Sequence, residues 1–435
     1  AAGNVVIRKP CTPGYENRQT LVLQSHLDMV CEKNNDIEFD FGNDSIQAYV
    51  DNGWIKAKGT TLGADNGIGI AAQLAVLDSV ELSHGPLECL FTVDEESGMT
   101  GAFNLQPGFF SGKLLINLDS EDDGEIFIGC AGGMDTLITC PVQWTQPKKE
   151  LSDFHLTVKG LLGGHSGDDI HKARGNANKI LSRVLWFLMN DFELYIAKLG
   201  GGNLRNAIPR EAFGDVGIPI DQADDFSSAF HQLADSITKE YLPVEKKLNI
   251  ALDPGKSSQR YIKSEIASKW IGALHICPNG VIEMSRTMPG MVGTSTNLAA
   301  IKTTDREIEM ITSQRSAVES EKQDIASRIY ALFDLAGCNC RHTGSYPGWN
   351  PDPRSALLKL TEKIYTDLFR EKPKVKAIHA GLECGLFLKK YPDLDMISFG
   401  PTIRNAHSPD EKLEIRAVER FWKLLIRILE RAPEA

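Results

Sequence analysis

The chain lacks any apolar run long enough to cross a bilayer. Its longest, residues 184–189, is far short of the roughly 20 residues a spanning helix needs. It lacks a basic run as well: 47 Lys and Arg stand against 58 Asp and Glu, for a formal net charge of −11. That balance argues against nucleic acid or an anionic membrane surface as partner. The first residues, AAGNVVIRKP, show neither an apolar stretch nor a cleavage pattern, so no secretory signal is expected in them, and they do not begin with Met. Nine cysteines form no evident paired framework, which fits a reducing cytosol better than secretion. The one tight group, Cys338-x-Cys340-x-His342, has neither a fourth ligand nor the usual two-residue cysteine spacing of a zinc site. Most cysteines are therefore expected to be small buried hydrophobes. No internal repeat or low-complexity tract is visible. What is present is ordinary for a globular protein, 42% apolar and 24% charged, and 435 residues suggest two or three structural units.

From about residue 20 to 132, strands and helices alternate. TLVLQSHLDMV reads as a strand ending in polar residues. GADNGIGIAAQLAVLDSV reads as a turn entering a helix, with Ile68, Ala71, Ala72, Ala75 and Val76 at helical spacing. LECLFTVDEESG and KLLINLDSEDDG are apolar runs of strand length that close in acids and Gly. Alternation of this kind predicts an open α/β sheet, whose ligands gather outside the carboxyl ends of the strands. After GCAGGM the style changes to polar strands such as DFHLTVKG, with helices near 176–189 and 324–335 and a Gly-rich joint, GGGNLRN, between them. YPGWNPDP reads as a linker. The tail returns to the first style, with a helix over 354–370, a short strand near 395–399 and an amphipathic helix over 415–431. The predicted architecture is thus an α/β domain with a sheet flanked by helices, formed by 1–132 and 346–435. A separate α+β domain, 133–345, is inserted into it.

The chemistry gathers at strand ends. His26 and Asp28, two apart, share a face of an extended strand, so one can hold a metal while the other orients the imidazole. Asp65 lies at the turn into a helix, where a plain N-cap is the ordinary role. Glu95 and Glu96 are adjacent and can serve one site only where the strand has ended, and Ser97-Gly98 supplies a break. Side by side, one acid can bind metal and the other exchange protons. Asp119 closes LLINLDSE, and His407 follows the late strand MISFG. Two imidazoles with four or five carboxylates suit zinc, then cobalt or manganese. They exceed one tetrahedral ion, which suggests two metals sharing a carboxylate.

SHLDMV, GADNGIG, TVDEESG, LDSEDDG, GGHSG, GGNLRNAIPREA, HAGLECG and GPTIRNAHSPDE together resemble the aminoacyl-histidine dipeptidase, carnosinase-like branch of the M20 metallopeptidase family, from about residue 20 to 415. The resemblance implies His26 and Asp119 on one metal, Glu96 and His407 on the other, and Asp65 bridging. It implies Glu95 as general base, Asp28 steering His26, and a cis Asp65–Asn66 peptide bond. It makes 1–132 with 346–435 a metal-binding catalytic domain with a central mixed sheet flanked by helices, and 133–345 an α+β lid domain, in which His165 stabilises the oxyanion, while Asn206 and Arg315 bind the substrate's free carboxylate. Gly381 would bring backbone close to the substrate. A helical segment ahead of GNVVIRKP, usual in the family, is not in this sequence. The expected protein is a cytoplasmic, homodimeric hydrolase that uses two divalent ions, zinc first, to cleave Xaa-His dipeptides including carnosine. The alternatives are a tripeptidase, carboxypeptidase or N-acyl deacylase of the same family, or a non-catalytic peptide-binding relative.

Overall fold

A computed structural model describes residues 2–34 and 36–434. The chain divides into two compact units, one running to Cys130 and resuming at Gly348, the other Ala131–Pro347.

The first unit is built on a seven-stranded sheet. Its spatial order is Val5–Lys9, Leu87–Thr92, Leu21–His26, Leu114–Asn117, Asp395–Ser398, Glu125–Cys130 and Lys374–Ile378. Leu21–His26 runs parallel to both its neighbours, with Leu21 level with Leu87 on one side and Leu114 on the other. The edge strand Val5–Lys9 is antiparallel, and so is the contact between Asp395–Ser398 and Glu125–Cys130, so the sheet is mixed. Every residue of the three strands Leu21–His26, Leu87–Thr92 and Leu114–Asn117 is buried, as expected of parallel strands covered on both faces. The helix Ala64–Asp78 lies so close to the sheet that a Cβ on Gly69 would come within 3.0 Å of Ser25 Cβ. A second, four-stranded sheet pairs Ile403–Arg404, Lys412–Glu414, Trp54–Ala57 and Ala48–Asp51.

The second unit shows a duplication that the sequence hides. Leu151–Lys159, helix Ala177–Asp191, Tyr195–Gly201, Ala212–Pro219, helix Ala223–Tyr241 and Asn249–Pro254 form one strand–helix–strand–strand–helix–strand half. Gly132–Pro141, helix Ser264–Ile276, Val292–Thr303, Glu307–Ser316, helix Glu319–Leu335 and Asn339–Tyr346 form another. In both halves the strands lie in the order fourth, first, third, second, all antiparallel. The second strands meet, Gly200 opposite Lys302 and Gly201 opposite Ile301, so two halves make one sheet. Gly280–Met284 adds a ninth strand. The first half is an insertion within the second, and Trp144–Thr145 paired with Tyr261–Ile262 closes its neck. One apolar core runs through both halves, from Leu181, Leu185 and Phe226 to Ile271, Ile329 and Phe333. The helices Ala223–Tyr241 and Ser264–Ile276 had no counterpart in the sequence-based expectation.

One expectation is corrected here. Cys140 and Cys338 are joined in a disulfide, both buried, 198 residues apart in sequence. Cys140 lies in the strand Gly132–Pro141 and Cys338 just ahead of its neighbour Asn339–Tyr346, so tertiary pairing alone brings them together. The other seven cysteines are free, and Cys89, Cys130, Cys277 and Cys384 are indeed buried.

Candidate active site

The first unit gathers its polar side chains at the carboxyl ends of the central strands. His26 is the last residue of its strand and is only 1% exposed. Its Nδ1 lies 2.9 Å from the backbone carbonyl oxygen of Asp28, so that nitrogen carries the proton and Nε2 faces the site. Two carboxylates meet Nε2: Asp65 Oδ1 at 3.2 Å and Asp119 Oδ1 at 3.3 Å. The carboxylate of Asp28 stands 3.7 Å from Nδ1, beyond a hydrogen bond. It instead accepts the backbone N–H groups of Glu95 and Glu96, each at 3.0 Å. Asp28 therefore orients the imidazole through its carbonyl and the two glutamates through its side chain.

The break that lets neighbouring glutamates share a site comes before them, not at Ser97-Gly98. The strand ends at Thr92, Asp94 takes a left-handed conformation (φ 58°), and Glu95–Gly98 forms a single helical turn. Asp65 is not a cap either. Gly63, at φ 72°, begins the helix, and Asp65 lies in its first turn with non-helical dihedrals. The Asp65–Asn66 bond is cis, as expected. The Asp65 carboxylate turns its two oxygens to different imidazoles, Oδ1 to His26 Nε2 and Oδ2 to His407 Nε2, both at 3.2 Å. His407 sits in a loop at φ 63° with half its side chain exposed. Its Nε2 is also 3.0 Å from Glu96 Oε1. That buried oxygen has no hydrogen-bond partner, so the short distance is not an aligned N–H donation.

Among the described residues, three groups of potential donors result, each with atoms within 4.8 Å of one another: His26, Asp65 and Asp119; Asp65, Glu96 and His407; and His26, Glu95 and Glu96. The first two share Asp65. Imidazole and carboxylate donors in two overlapping sets fit a pair of borderline divalent cations. The electrostatics fit too. Burial, then the charge of Asp119, pushes Glu95 up to about 9. Burial first, with Asp65 and Asp119 beside it, pushes Glu121 up to about 8. Asp119 itself rises to about 6, mainly through burial. The hydrogen bond to Asp65, with the Glu96 carboxylate 3.0 Å away, raises His407 to about 10. Burial works against charge on His26, but Asp119, Asp28 and Asp65 outweigh it and raise its pKa. This much negative charge calls for cations, and dications at the same points would displace those protons.

Two residues that the sequence did not single out support the site. Asn66 donates from Nδ2 to Leu118 O at 3.0 Å and to Asp119 Oδ1. Glu383 is fully buried and accepts from Gln24 Nε2 and Thr92 Oγ1, both at 2.7 Å. Both lie inside the motifs GADNGIG and HAGLECG, but their partners come from other segments, so the motifs alone do not show these roles. Gly381 lies in the loop leading to the helix Cys384–Lys390.

Within the second unit, the segments that hold His165 and Asn206 are neighbours. His165 pairs with Ala207 in a two-residue ladder, and Ser166 N–H donates to Asn206 O at 2.8 Å. His165 Nδ1 lies 3.2 Å from Asp168 Oδ2. Arg315 is buried on the strand Glu307–Ser316. Its Nη1 donates to Tyr346 Oη at 3.2 Å, and its Nε has no hydrogen-bond partner.

Comparison with known proteins agrees with this chemistry. Residues 22–431 match the model of peptidase family M20/M25/M40. The chain is 45% identical to the cytosol non-specific dipeptidase of Escherichia coli (strain K12) over 431 residues, covering 99% of this chain and 89% of that protein. Among solved structures, it matches an aminoacylhistidine dipeptidase from Vibrio alginolyticus with a TM-score of 0.94 and 44% identity, over 100% of this chain and 89% of the other. Aminopeptidase PepT from Bacillus cereus shares the fold, with a TM-score of 0.54 and 14% identity over 99% of this chain and 84% of that one. With its family motifs gathered into one cluster of imidazoles and carboxylates, the chain belongs to peptidase family M20/M25/M40.

Proposed function

We propose that the protein is a dipeptidase that works with two divalent metal ions, zinc first and cobalt or manganese as substitutes. The observation that carries the reading is the Asp65 carboxylate, whose two oxygens each face a different imidazole at 3.2 Å. His26 and Asp119 would hold one ion, Glu96 and His407 the other, and Asp65 both. When bound, the ions would acidify a water and polarise the scissile carbonyl. Glu95, held by Asp28 through its backbone amide, takes the proton of the attacking water and passes it to the leaving amine. His165 donates a hydrogen bond to the oxyanion, with Asp168 against its other nitrogen. Arg315 and Asn206 hold the terminal carboxylate of the substrate. Arg315 suits this role because it is a buried cation with hydrogen-bonding capacity to spare. Gly381 offers close backbone contact.

The substrate we propose is a short Xaa-His dipeptide, carnosine included. The nearer alternative is broad dipeptide cleavage, as the name of the E. coli relative states for that protein. Kinetics on carnosine, Gly-His, Ala-Leu and their C-terminal amides, with zinc, cobalt and manganese in turn, decide between them. Equal rates on acids and amides discard the carboxylate-binding role of Arg315 and Asn206, and no preference for His leaves a general dipeptidase. A homodimer and a cytosolic location complete the proposal. Sedimentation tests the first, and localisation of the tagged full chain tests the second. The Cys140–Cys338 disulfide argues against a reducing compartment, while the E. coli relative is named for the cytosol.

A further inference from the structure

One residue of the His407 loop reaches across to the Asp65 turn without being a candidate ligand. Glu411 is 2% exposed and lies four residues beyond His407. Its Oε2 accepts the backbone N–H groups of Leu62 at 2.7 Å and Gly63 at 2.9 Å. Its Oε1 accepts those of Ala64 at 2.8 Å and Asp65 at 3.3 Å. These are consecutive amides at the start of the helix Ala64–Asp78, a half-buried turn whose amides have no partner within the helix. The loop bearing Glu411 is fixed on both sides. Ile403–Arg404 and Lys412–Glu414 pair with each other, and Lys412–Glu414 also pairs with Trp54–Ala57. Within the loop, Glu411 N–H donates to Ser408 O at 3.0 Å.

We propose that Glu411 is a positioning residue of the metal site, one that holds Asp65 in its two-sided orientation and couples it to the His407 loop. Asp65 cannot satisfy both imidazoles unless its backbone is fixed, and Gly63 leaves the chain free to turn just before it. No side chain caps this helix from within its own segment. Glu411 supplies four acceptor contacts to that turn from a segment almost 350 residues away. Movement of the turn and movement of the His407 loop are thereby one motion. The inference rests on the dinuclear reading above and adds to it the residue that sets how the two ligand sets meet.

The test uses the full chain, stripped with a chelator and titrated with zinc and with cobalt. Glu411→Gln is the same size but offers one acceptor oxygen in place of two, and sets an amide NH₂ against two backbone donors. Its affinity for the second ion should fall about 10–100-fold, as for other residues that orient ligands. Turnover should recover in excess metal with KM unchanged, and the cobalt absorption spectrum should change. Glu411→Asp, which keeps the charge, should lie between the two. Unchanged metal affinity with only a lower melting temperature would show an ordinary helix cap and overturn the proposal. Hydrogen exchange on the metal-free wild type covers the case in which the variants do not fold. The amides of residues 62–65 should be protected, and exchange as fast as in an uncapped first turn overturns the proposal as well. A wild type that takes up fewer than two ions counts against the dinuclear reading, while the exchange result still judges Glu411.

Discussion

Glu95 and Glu96 follow each other in the chain, are tied by the same Asp28 carboxylate, and still have different surroundings. Glu96 meets His407, while Glu95 is raised to about 9 by burial and then Asp119. Glu95→Gln should therefore lower kcat by about 10²–10⁴ while metal content, read by elemental analysis, stays near that of the wild type. Loss of metal would exchange the two roles. Arg315→Ala removes a charge-assisted contact of about 1.5–3 kcal/mol, on the order of a tenfold to hundredfold drop in kcat/KM for a free dipeptide. A dipeptide amide should be poor with either protein. Glu383 makes a prediction about pH. Burial raises its carboxyl from the ordinary 4.5 to about 7. A raised folded pKa contributes stability that is complete below the ordinary value and is lost as pH rises through about 7. Glu383→Gln keeps an acceptor for Gln24 and Thr92 without the titration. Urea midpoints of metal-free wild type should fall between pH 4.5 and 7 more than those of the variant, and parallel curves would contradict the assignment.

Local structure follows local sequence where the element closes its own hydrogen bonds. Ser355 caps the helix Ala356–Phe369 by accepting Leu358 N–H, and its hydroxyl donates to Asp395 Oδ1. Ser355→Ala should cost about 1 kcal/mol in denaturant unfolding with little change in turnover. The helices expected over 354–370 and 415–431 are found as Ala356–Phe369 and Ile415–Glu430 for the same reason. Glu95–Gly98 is the opposite case. A single turn has too few hydrogen bonds to stand alone, so Asp28 sets its place, and nothing in TVDEESG announces that.

For the molecule as a whole, the concentration of acids in one place has a cost that metal removal should expose. Asp65, Glu95, Glu96, Asp119 and Glu121 face two imidazoles, and cations bound to the folded state alone stabilise it by mass action. Chelation at pH 8 should abolish peptide cleavage and lower the melting temperature, and zinc should restore both. An unchanged melting temperature together with full activity in chelator would remove the metal from the mechanism.

What the sequence determined by itself was local in origin. Buried parallel strands such as LVLQSH and KLLIN show as unbroken apolar runs, and side chains that must face a ligand stand where those runs end. For that reason His26, Glu95, Glu96 and Asp119 could be picked out as candidates before any coordinate, as could the mixed α/β class, while Asp65 and His407 stood in a turn and a loop and were added by the motifs around them. Tertiary structure alone decided the rest. The duplicated halves of the second unit share strand order and not sequence, because an antiparallel sheet fixes hydrogen-bonding direction and leaves side chains free to differ. The Cys140–Cys338 pair, the carboxylate of Asp28 turned to two amides, and Glu411 joined to residues 62–65 leave no local pattern either. A backbone N–H donates to any nearby oxygen, so which acid meets it depends on where the sheet places the two segments in space.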